Sequence, residues 1–221
     1  MTAPVALAGV LPAGSSEWTA PLDVSVADGE WLVVRTTPAR SSPLLRICVG
    51  LQSRAAGTVS VLGEDPGQLS NAALGPFRRR LGTALQPDGL VSNMGVRRNL
   101  VVSLVYAGVC GAAEAEARAR EGLEQFGLAS WAEARPSDLP EDVRAIVAVV
   151  RAVARRPAVL VLEDPFAAVK SVQAAAMLRR CRALAPSALV TTFRRNEPLY
   201  DAADRIALWD SRGFTPAEAP R

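Results

Sequence analysis

The clearest candidates for chemistry are two adjacent acids, Glu163 and Asp164, which follow a short apolar run at 158–162. Carboxylates can act as general bases or metal ligands. They matter more here because the chain has no histidine, which excludes Ser-His-Asp triads, imidazole bases and most zinc sites. Lys170 is the only lysine, so a mechanism that depends on an ammonium group has one candidate.

A polar loop forms the second candidate site. It is predicted from Arg35 to Ser42, between the apolar run 31–34 and a helical-looking stretch at 44–51. Arginines in such a loop can hold an anion, and serine hydroxyls can contact a metal ion. The order of these stretches predicts a strand, a loop and a helix.

The composition predicts a folded chain with a sizeable core. Of the 221 residues, 49% are hydrophobic, which excludes disorder and a fibrous build. The net charge of +3 is spread along the chain, and only 5% of the residues are aromatic. Basic residues are not interleaved with stacking aromatics, so we expect no nucleic-acid partner.

The cysteines and the apolar runs bear on the compartment. Cys48, Cys110 and Cys181 are far apart and odd in number, which favours a reducing cytoplasm over a disulfide framework. The start of the chain lacks the basic segment of a signal peptide. The uncharged run from Asn99 to Ala113 is shorter than the ~20 residues of a spanning helix, so we expect no direct membrane insertion.

Strand-like apolar runs alternate with helical stretches near both ends of the sequence, whereas the middle is rich in alanine, arginine and glutamate at helical spacing. This order predicts an α/β fold. We expect a single domain over 1–221, with a core sheet from about 1–86 and 155–221 and a helical insert at about 87–154.

The run that ends in Glu163-Asp164-Pro165 resembles the Walker B segment of ABC-transporter ATPases, in which the usual order is Asp-Glu-Pro. The resemblance extends in register over nearly the whole chain. Further matching stretches are 23–34, 44–51, 57–63, 79–86, 147–157, 189–192 and 203–208. Each match is weak by itself, but their common order makes the resemblance specific.

This resemblance implies a P-loop NTPase (RecA-like) core with an inserted helical subdomain, and ATP and Mg²⁺ as ligands. It also implies a dimer of ATP-binding subunits that sandwiches two ATP molecules and drives a membrane permease. The protein would be cytoplasmic and held at the inner face of the membrane through the permease. The family stacks adenine on an N-terminal aromatic, for which Trp18 is a candidate at a shifted position.

In the family's register, the predicted phosphate loop lacks most phosphate-binding residues. Arg35 and Arg40 occupy two glycine positions, Ser41 the lysine position and Ser42 the position of the hydroxyl that binds Mg²⁺. Glycines let a backbone curl around phosphate, whereas an arginine side chain projects into that space. We therefore expect another loop shape. In an alternative reading, Arg35 or Arg40 replaces the lysine charge.

The family's signature segment, Leu-Ser-Gly-Gly-Gln, is replaced by Leu139-Pro140-Glu141-Asp142-Val143. In the family this segment binds the γ-phosphate of the ATP held by the partner subunit. Two acids at this position remove hydrogen-bond donors to the phosphate and add electrostatic repulsion against it. The same residues are typical of a well-capped helix start, with proline and acids in the first turn.

By the same resemblance, Glu163 would contact Mg²⁺ and Asp164 would polarise the attacking water, although Asp164 is one methylene shorter than the usual glutamate. Phe193 replaces the switch histidine, and Lys170 replaces the D-loop aspartate. Gln86 remains at the Q-loop, near which the family's permeases dock. These replacements predict altered chemistry on a retained fold.

The sequence supports three hypotheses. The leading one is a non-hydrolysing structural or regulatory subunit that docks on a permease or an intact ABC ATPase partner, with a homodimer as another arrangement. The alternative is an active ABC ATPase with Ser42, Glu163, Asp164 and Arg40 in unconventional roles. The apolar run 99–106 is a faint signal for a lipid-type branch of the family, and an ordinary core helix is the preferred interpretation of this run. A third is a free-standing module that binds another anion through Arg35 and Arg40.

Overall fold

The computed structural model describes residues 3–14, 17–18 and 20–217. The strands within these ranges are β1 (Val5–Pro12), β2 (Leu22–Val26), β3 (Trp31–Arg35), β4 (Arg54–Val61), β5 (Leu81–Ala84), β6 (Val159–Glu163), β7 (Ser187–Thr192), β8 (Arg205–Asp210) and β9 (Gly213–Ala217). The helices are α1 (Pro38–Cys48), α2 (Asn71–Arg79), α3 (Val96–Tyr106), α4 (Ala112–Gln125), α5 (Glu141–Val153), α6 (Ser171–Leu184) and α7 (Glu197–Ala202).

The main sheet has six strands in the order β5-β6-β7-β3-β8-β9. The first five run parallel, and β9 pairs antiparallel with β8 at the edge. A second sheet has the order β2-β1-β4, and all of its pairs are antiparallel. A parallel sheet with helical crossovers confirms the α/β fold class predicted from the alternating runs.

Continuous apolar runs form the central strands because both faces of the main sheet are covered. In β3, Trp31 and Val33 pack into a core shared with α3 to α7, whereas Leu32 and Val34 pack into a second core shared with α1 and the smaller sheet. Successive side chains of a strand point to opposite faces, so one short run serves both cores. The main sheet is thereby held between the two layers.

The chain between β5 and β6 contains α3, α4, α5 and two short 3-10 turns, Ala129–Trp131 and Pro136–Asp138. Residues 146–150, 152 and 153 of α5 are buried, and the helix packs against β5 and β6. Asn99 in α3 fixes the segment before that helix, because its amide bonds the backbone of Val91, Met94 and Gly95. No helix within the described ranges is long and apolar enough to cross a bilayer.

The last strand corrects one expectation. The stretch after Gly213 is rich in proline and alanine, and this composition alone predicts a frayed end. In the structure, Gly213–Ala217 forms β9 and pairs with β8, and residues 218–221 lie outside the described ranges. Main-chain hydrogen bonds make this pair, and an edge strand tolerates Pro216 because one side of an edge strand needs no donors. The prediction failed because strand pairing does not depend on local propensity alone.

Replacing Leu160 with alanine should test the core of the main sheet. Leu160 is fully buried in β6, so the truncation leaves a cavity and should lower the free energy of unfolding by about 2–5 kcal/mol. Leu51→Ala is the matched control, because Leu51 is 58% exposed and its truncation should change stability by less than about 0.5 kcal/mol. Urea unfolding measures both; equal effects would contradict this description of the core.

Candidate functional site

The candidate site lies at the edge of the main sheet where β3, β6 and β7 end. Arg35 is the last residue of β3, Glu163 of β6 and Thr192 of β7, and these three strands are neighbours. The carboxyl ends of parallel strands are the usual place for ligand sites in α/β folds. The structure thus brings the predicted acids and the predicted phosphate loop to one edge.

The connection between β3 and α1 is only two residues long. Two threonines separate the end of β3 from Pro38, the first residue of α1, so Ser41 and Ser42 lie inside the helix. The prediction of a polar loop as far as Ser42 was therefore wrong. Proline fits a first helical turn, and the stretch 35–43 has no glycine and no residue with positive φ.

The backbone of this turn bonds to itself and to β7. The amide of Thr36 donates to Thr192 O at 2.9 Å, and the amides of Arg40 and Ser41 donate to Thr37 O at 3.2 and 2.9 Å. An anion at a helix N-terminus is held by amides that have no partner inside the chain. Here, three amides near the start of α1 already have such partners.

The Ser41 side chain is fully buried and links α1 to two strands. Its Oγ donates to Glu163 Oε1 at 3.1 Å and lies 2.7 Å from Thr191 Oγ1. Because a hydroxyl has one hydrogen, Thr191 is the donor to Ser41 in this arrangement. Glu163 Oε2 accepts from the amide of Gln86 at 2.9 Å, so both carboxylate oxygens have partners inside the chain.

Gln86 reaches the site through its backbone, and its side chain is exposed. Its carbonyl oxygen accepts a hydrogen bond from Arg46 Nη2 at 3.2 Å. Arg46 lies in the last turn of α1, and its Nε is buried with no partner among the described residues. Sequence reasoning missed Arg46 and Thr191; a basic residue near the end of a helix is the one available signal for Arg46.

Asp164 follows β6 in a left-handed conformation with φ of +42° and is buried. Its amide donates to Thr191 O at 2.9 Å, and its Oδ1 accepts from Thr192 Oγ1 at 3.1 Å and from the Phe193 amide at 3.2 Å. Burial raises the pKa of this carboxyl above its usual 3.8, and the two hydrogen bonds oppose that shift. Asp164 therefore connects β6 to the end of β7.

Ser42, predicted to contact Mg²⁺, is half-buried and takes part in none of the described side-chain hydrogen bonds. Within residues 3–14, 17–18 and 20–217, no group of three or more His, Cys, Asp or Glu side chains is arranged to hold a metal ion. The Ser42 hydroxyl, Glu163 and Asp164 thus lie near one edge of the sheet, but they do not form a preassembled cluster of metal ligands.

The two arginines at the glycine positions have different neighbours. Burial raises the pKa of the Tyr200 hydroxyl, and the nearby positive charge of Arg35 opposes that shift. Hydrogen bonds from Arg212 lower the pKa of Asp210, and the positive charge of Arg40 lowers it further. Each arginine is therefore close to a group of the protein itself.

The five residues at the signature position form the start of α5. Leu139 is buried, Pro140 immediately precedes the helix, and Glu141 and Asp142 lie in its first turn. Asp142 Oδ1 accepts from the Val143 amide at 2.9 Å, and no side chain caps this helix end. The expectation of a well-capped start was wrong, although the two carboxylates still stabilise this end of α5 through the helix dipole.

Three predicted positions remain, namely Phe193, Lys170 and Trp18. Phe193 is half-buried directly after β7, and Lys170 is exposed immediately before α6. Trp18 is 3% exposed and packs edge-to-face on Trp209, with 4.7 Å between ring centroids. A buried ring cannot stack on a nucleotide base, so the structure argues against Trp18 as an adenine platform.

This chain is similar to known proteins both in sequence and in fold. The model of the ABC transporter family matches residues 23–167. The methionine import ATP-binding protein MetN of Caulobacter vibrioides is 36% identical over 148 residues, which are 66% of this chain and 44% of that protein. MetN of Rhizobium johnstonii is 32% identical over 201 residues, or 87% of this chain and 55% of that protein.

The lipoprotein-releasing system ATP-binding protein LolD of Chromohalobacter salexigens is 32% identical over 146 residues, 65% of this chain and 61% of that protein. This chain thus spans about half the length of these curated relatives. Among solved structures, the dimeric bacterial ABC transporter cassette MJ0796 superposes with a TM-score of 0.81 at 20% identity, covering 92% of this chain and 93% of that chain. Its post-hydrolysis state bound to ADP and Pi gives a TM-score of 0.84 at 19% identity, covering 98% and 99%.

Ser41→Ala tests the buried hydroxyl bridge. The change leaves one oxygen of the buried Glu163 carboxylate without its partner, so it should lower the free energy of unfolding by about 1–3 kcal/mol. Ser42→Ala, one residue along the same helix, is the matched control and should change stability by less than about 0.5 kcal/mol. Chemical denaturation measures both variants. Equal stability of the two would show that the bridge does not stabilise the fold.

Asp164→Asn tests the environment of the second acid through pH. Between pH 3.8 and the raised pKa of Asp164, the folded chain keeps a proton that the unfolded chain has already released. The free energy of unfolding therefore falls as the pH rises through this range. Asparagine has no such penalty and tolerates a left-handed φ. The gain in the free energy of unfolding of Asp164→Asn over wild type should therefore be larger at pH 7 than at pH 4.

Urea unfolding at the two pH values measures this difference. Asp201→Asn, at an exposed position in α7, controls for the loss of one negative charge from the protein. A gain at position 164 that is the same at both pH values would contradict the proposed effect of burial.

Proposed function

Because this chain belongs to the ABC transporter family, we propose that it is an ATP-binding-subunit homologue that does not hydrolyse ATP. It acts as a structural or regulatory subunit that docks on a membrane permease or on an intact ABC ATPase partner. The relatives named above are ATP-binding proteins of methionine import and lipoprotein release.

The observation that carries this proposal is the set of hydrogen bonds around Glu163. At the position where the family has a lysine for the terminal phosphates, Ser41 donates to one carboxylate oxygen, and the amide of Gln86 donates to the other. An acid that serves Mg²⁺ must present an oxygen to the ion's ligand shell. Here both oxygens bond to the protein, and the residue is 3% exposed.

The start of α1 also supports the proposal. A phosphate cradle needs amides that point at the ligand, usually from glycines in unusual conformations. In this chain, the helix begins at Pro38, and the amides of Thr36, Arg40 and Ser41 bond to backbone oxygens. Pro38 and Pro43 contribute no amide hydrogen. The residues present therefore do not fit Mg-ATP in the family's usual manner.

The second acid supports the same conclusion. Asp164, at the position of the water-polarising glutamate, accepts hydrogen bonds from Thr192 and from the amide of Phe193. Its side chain is shorter than glutamate, and a positioning error of ~1 Å can lower a rate ~10²-fold. Phe193 cannot supply the imidazole that the family uses to sense the γ-phosphate.

The partner arrangement follows from how ABC sites are assembled from two subunits. In a homodimer, both sites would combine an altered phosphate loop with the acidic first turn formed by Glu141 and Asp142. With an intact ATPase partner, each site would contain one altered element. We propose such a pairing, with the chain as one domain whose core (1–86 and 155–221) carries the helical insert (87–154) and lies at the cytoplasmic face through the permease.

Phosphate release from Mg-ATP tests the non-hydrolysing role. The purified chain should release phosphate no faster than a buffer blank, and Asp164→Asn should leave that background unchanged, because neither acid is available for catalysis. An intact ABC cassette assayed beside it shows that the conditions support turnover. Mg²⁺-dependent release that is abolished in Asp164→Asn would overturn the proposal and establish the active-ATPase alternative.

A further inference from the structure

A small cavity lies between the edge strand β5, α3 and the end of α5. Its volume is about 230 Å³, which is below the ~300–1,000 Å³ of sites that hold a drug-sized molecule. Arg151 in the last turn of α5 and Arg155 just after that helix line it, together with Thr83 of β5 and Ser103 of α3. We call it the β5–α5 cavity, and its size suits a small ion.

The β5–α5 cavity has an excess of positive charge. Among the described residues that line it, two are arginines and none is acidic. Within the part of the chain that the structure describes, no carboxylate oxygen lies within 4.0 Å of a guanidinium nitrogen of Arg151 or Arg155. Burial lowers the pKa of Arg151, and the charge of Asp88 opposes that shift. Asp88 also pairs with Arg144 at 3.0 Å, so its charge is shared.

The guanidinium of Arg155 is poorly compensated inside the chain. Its Nη2 donates to Arg78 O at 3.2 Å, whereas its buried Nε has no hydrogen-bond partner among the described residues. Burial lowers the pKa of Arg155, and the positive charges of Arg151 and Arg79 lower it further, although Arg79 does not line the cavity. A negative charge in the cavity would offset this repulsion.

Two hydroxyls add neutral donors to the cavity. Thr83 and Ser103 are half-buried, and neither hydroxyl takes part in the described side-chain hydrogen bonds. Arg151 is held in place, because it donates to the carbonyl oxygens of Gly89 at 2.6 Å and Asp88 at 2.7 Å. Guanidinium groups and hydroxyls from three different elements match an anion whose several oxygens point in different directions.

We propose that the β5–α5 cavity binds a free tetrahedral oxyanion, inorganic phosphate, between the guanidinium groups of Arg151 and Arg155 and the hydroxyl of Ser103. Phosphate supplies the negative charge that this cavity lacks and accepts several hydrogen bonds at once. The bound ion connects α3 to the end of α5. This inference goes beyond the proposed function and does not rest on it, because neither Ser41 nor Glu163 lines the cavity.

Titration calorimetry of inorganic phosphate into the purified chain, at constant ionic strength, tests this site. The wild type should bind one phosphate per chain. Arg155→Gln should weaken binding about tenfold or more, because it removes a charge-assisted hydrogen bond. Ser103→Ala should weaken binding about two- to tenfold through the loss of a neutral hydrogen bond. The serine variant keeps the test valid if Arg155→Gln does not fold.

Three comparisons identify the site and the ligand. Arg179→Gln, at an exposed position in α6, is the matched control for the loss of one arginine and should bind phosphate like the wild type. Arg40→Gln changes the predicted phosphate loop and should also retain phosphate binding, because Arg40 does not line the cavity. Glycerol 3-phosphate should bind no more tightly than phosphate, because the proposed ligand is the free ion.

The proposal fails if phosphate shows no saturable binding in the millimolar range, or if Arg155→Gln and Ser103→Ala both bind it like the wild type. Loss of binding in Arg40→Gln would also overturn it, because the anion would then lie at the predicted phosphate loop. Tighter binding of glycerol 3-phosphate would contradict a free ion as the ligand. Phosphate release from Mg-ATP does not involve this cavity, so the two proposals can fail independently.

Discussion

The carboxylate of Glu163 determines how four parts of the chain meet. It ends β6, accepts from Ser41 in α1 and from the amide of Gln86 after β5, and Ser41 in turn contacts Thr191 in β7. A buried carboxylate without partners is strongly unfavourable, so these donors have to remain in place for the sheet edge to stay folded. The family's ligand-binding edge is thereby used for internal hydrogen bonds in this chain.

The fold was largely predictable because it depends on patterns that the sequence shows locally. Short apolar runs such as 31–34 and 158–162 become central parallel strands because both of their faces are covered. The start of α1 was predicted six residues too late, because a polar stretch that contains Pro38 reads as a loop, whereas proline fits a first helical turn. The edge strand Gly213–Ala217 depends on pairing with β8, which local composition does not reveal.

The candidate site was predictable in its location but not in its bonding. The positions of Glu163, Asp164 and Ser41 at one edge follow from the order of strands. The bridge between Ser41 and Glu163 joins residues 122 positions apart, and no local pattern predicts such a pair.

We propose that hydrogen bonds within the chain occupy the groups that a relative would use for Mg-ATP. Titration of Mg-ATP into the purified chain by calorimetry tests it most directly, because binding is measured without a permease or a second ATPase. We expect no binding heat up to millimolar ATP. Saturable binding in the micromolar range would contradict it, because the loop around Arg40 and Ser41 would then have to open and form a working phosphate site.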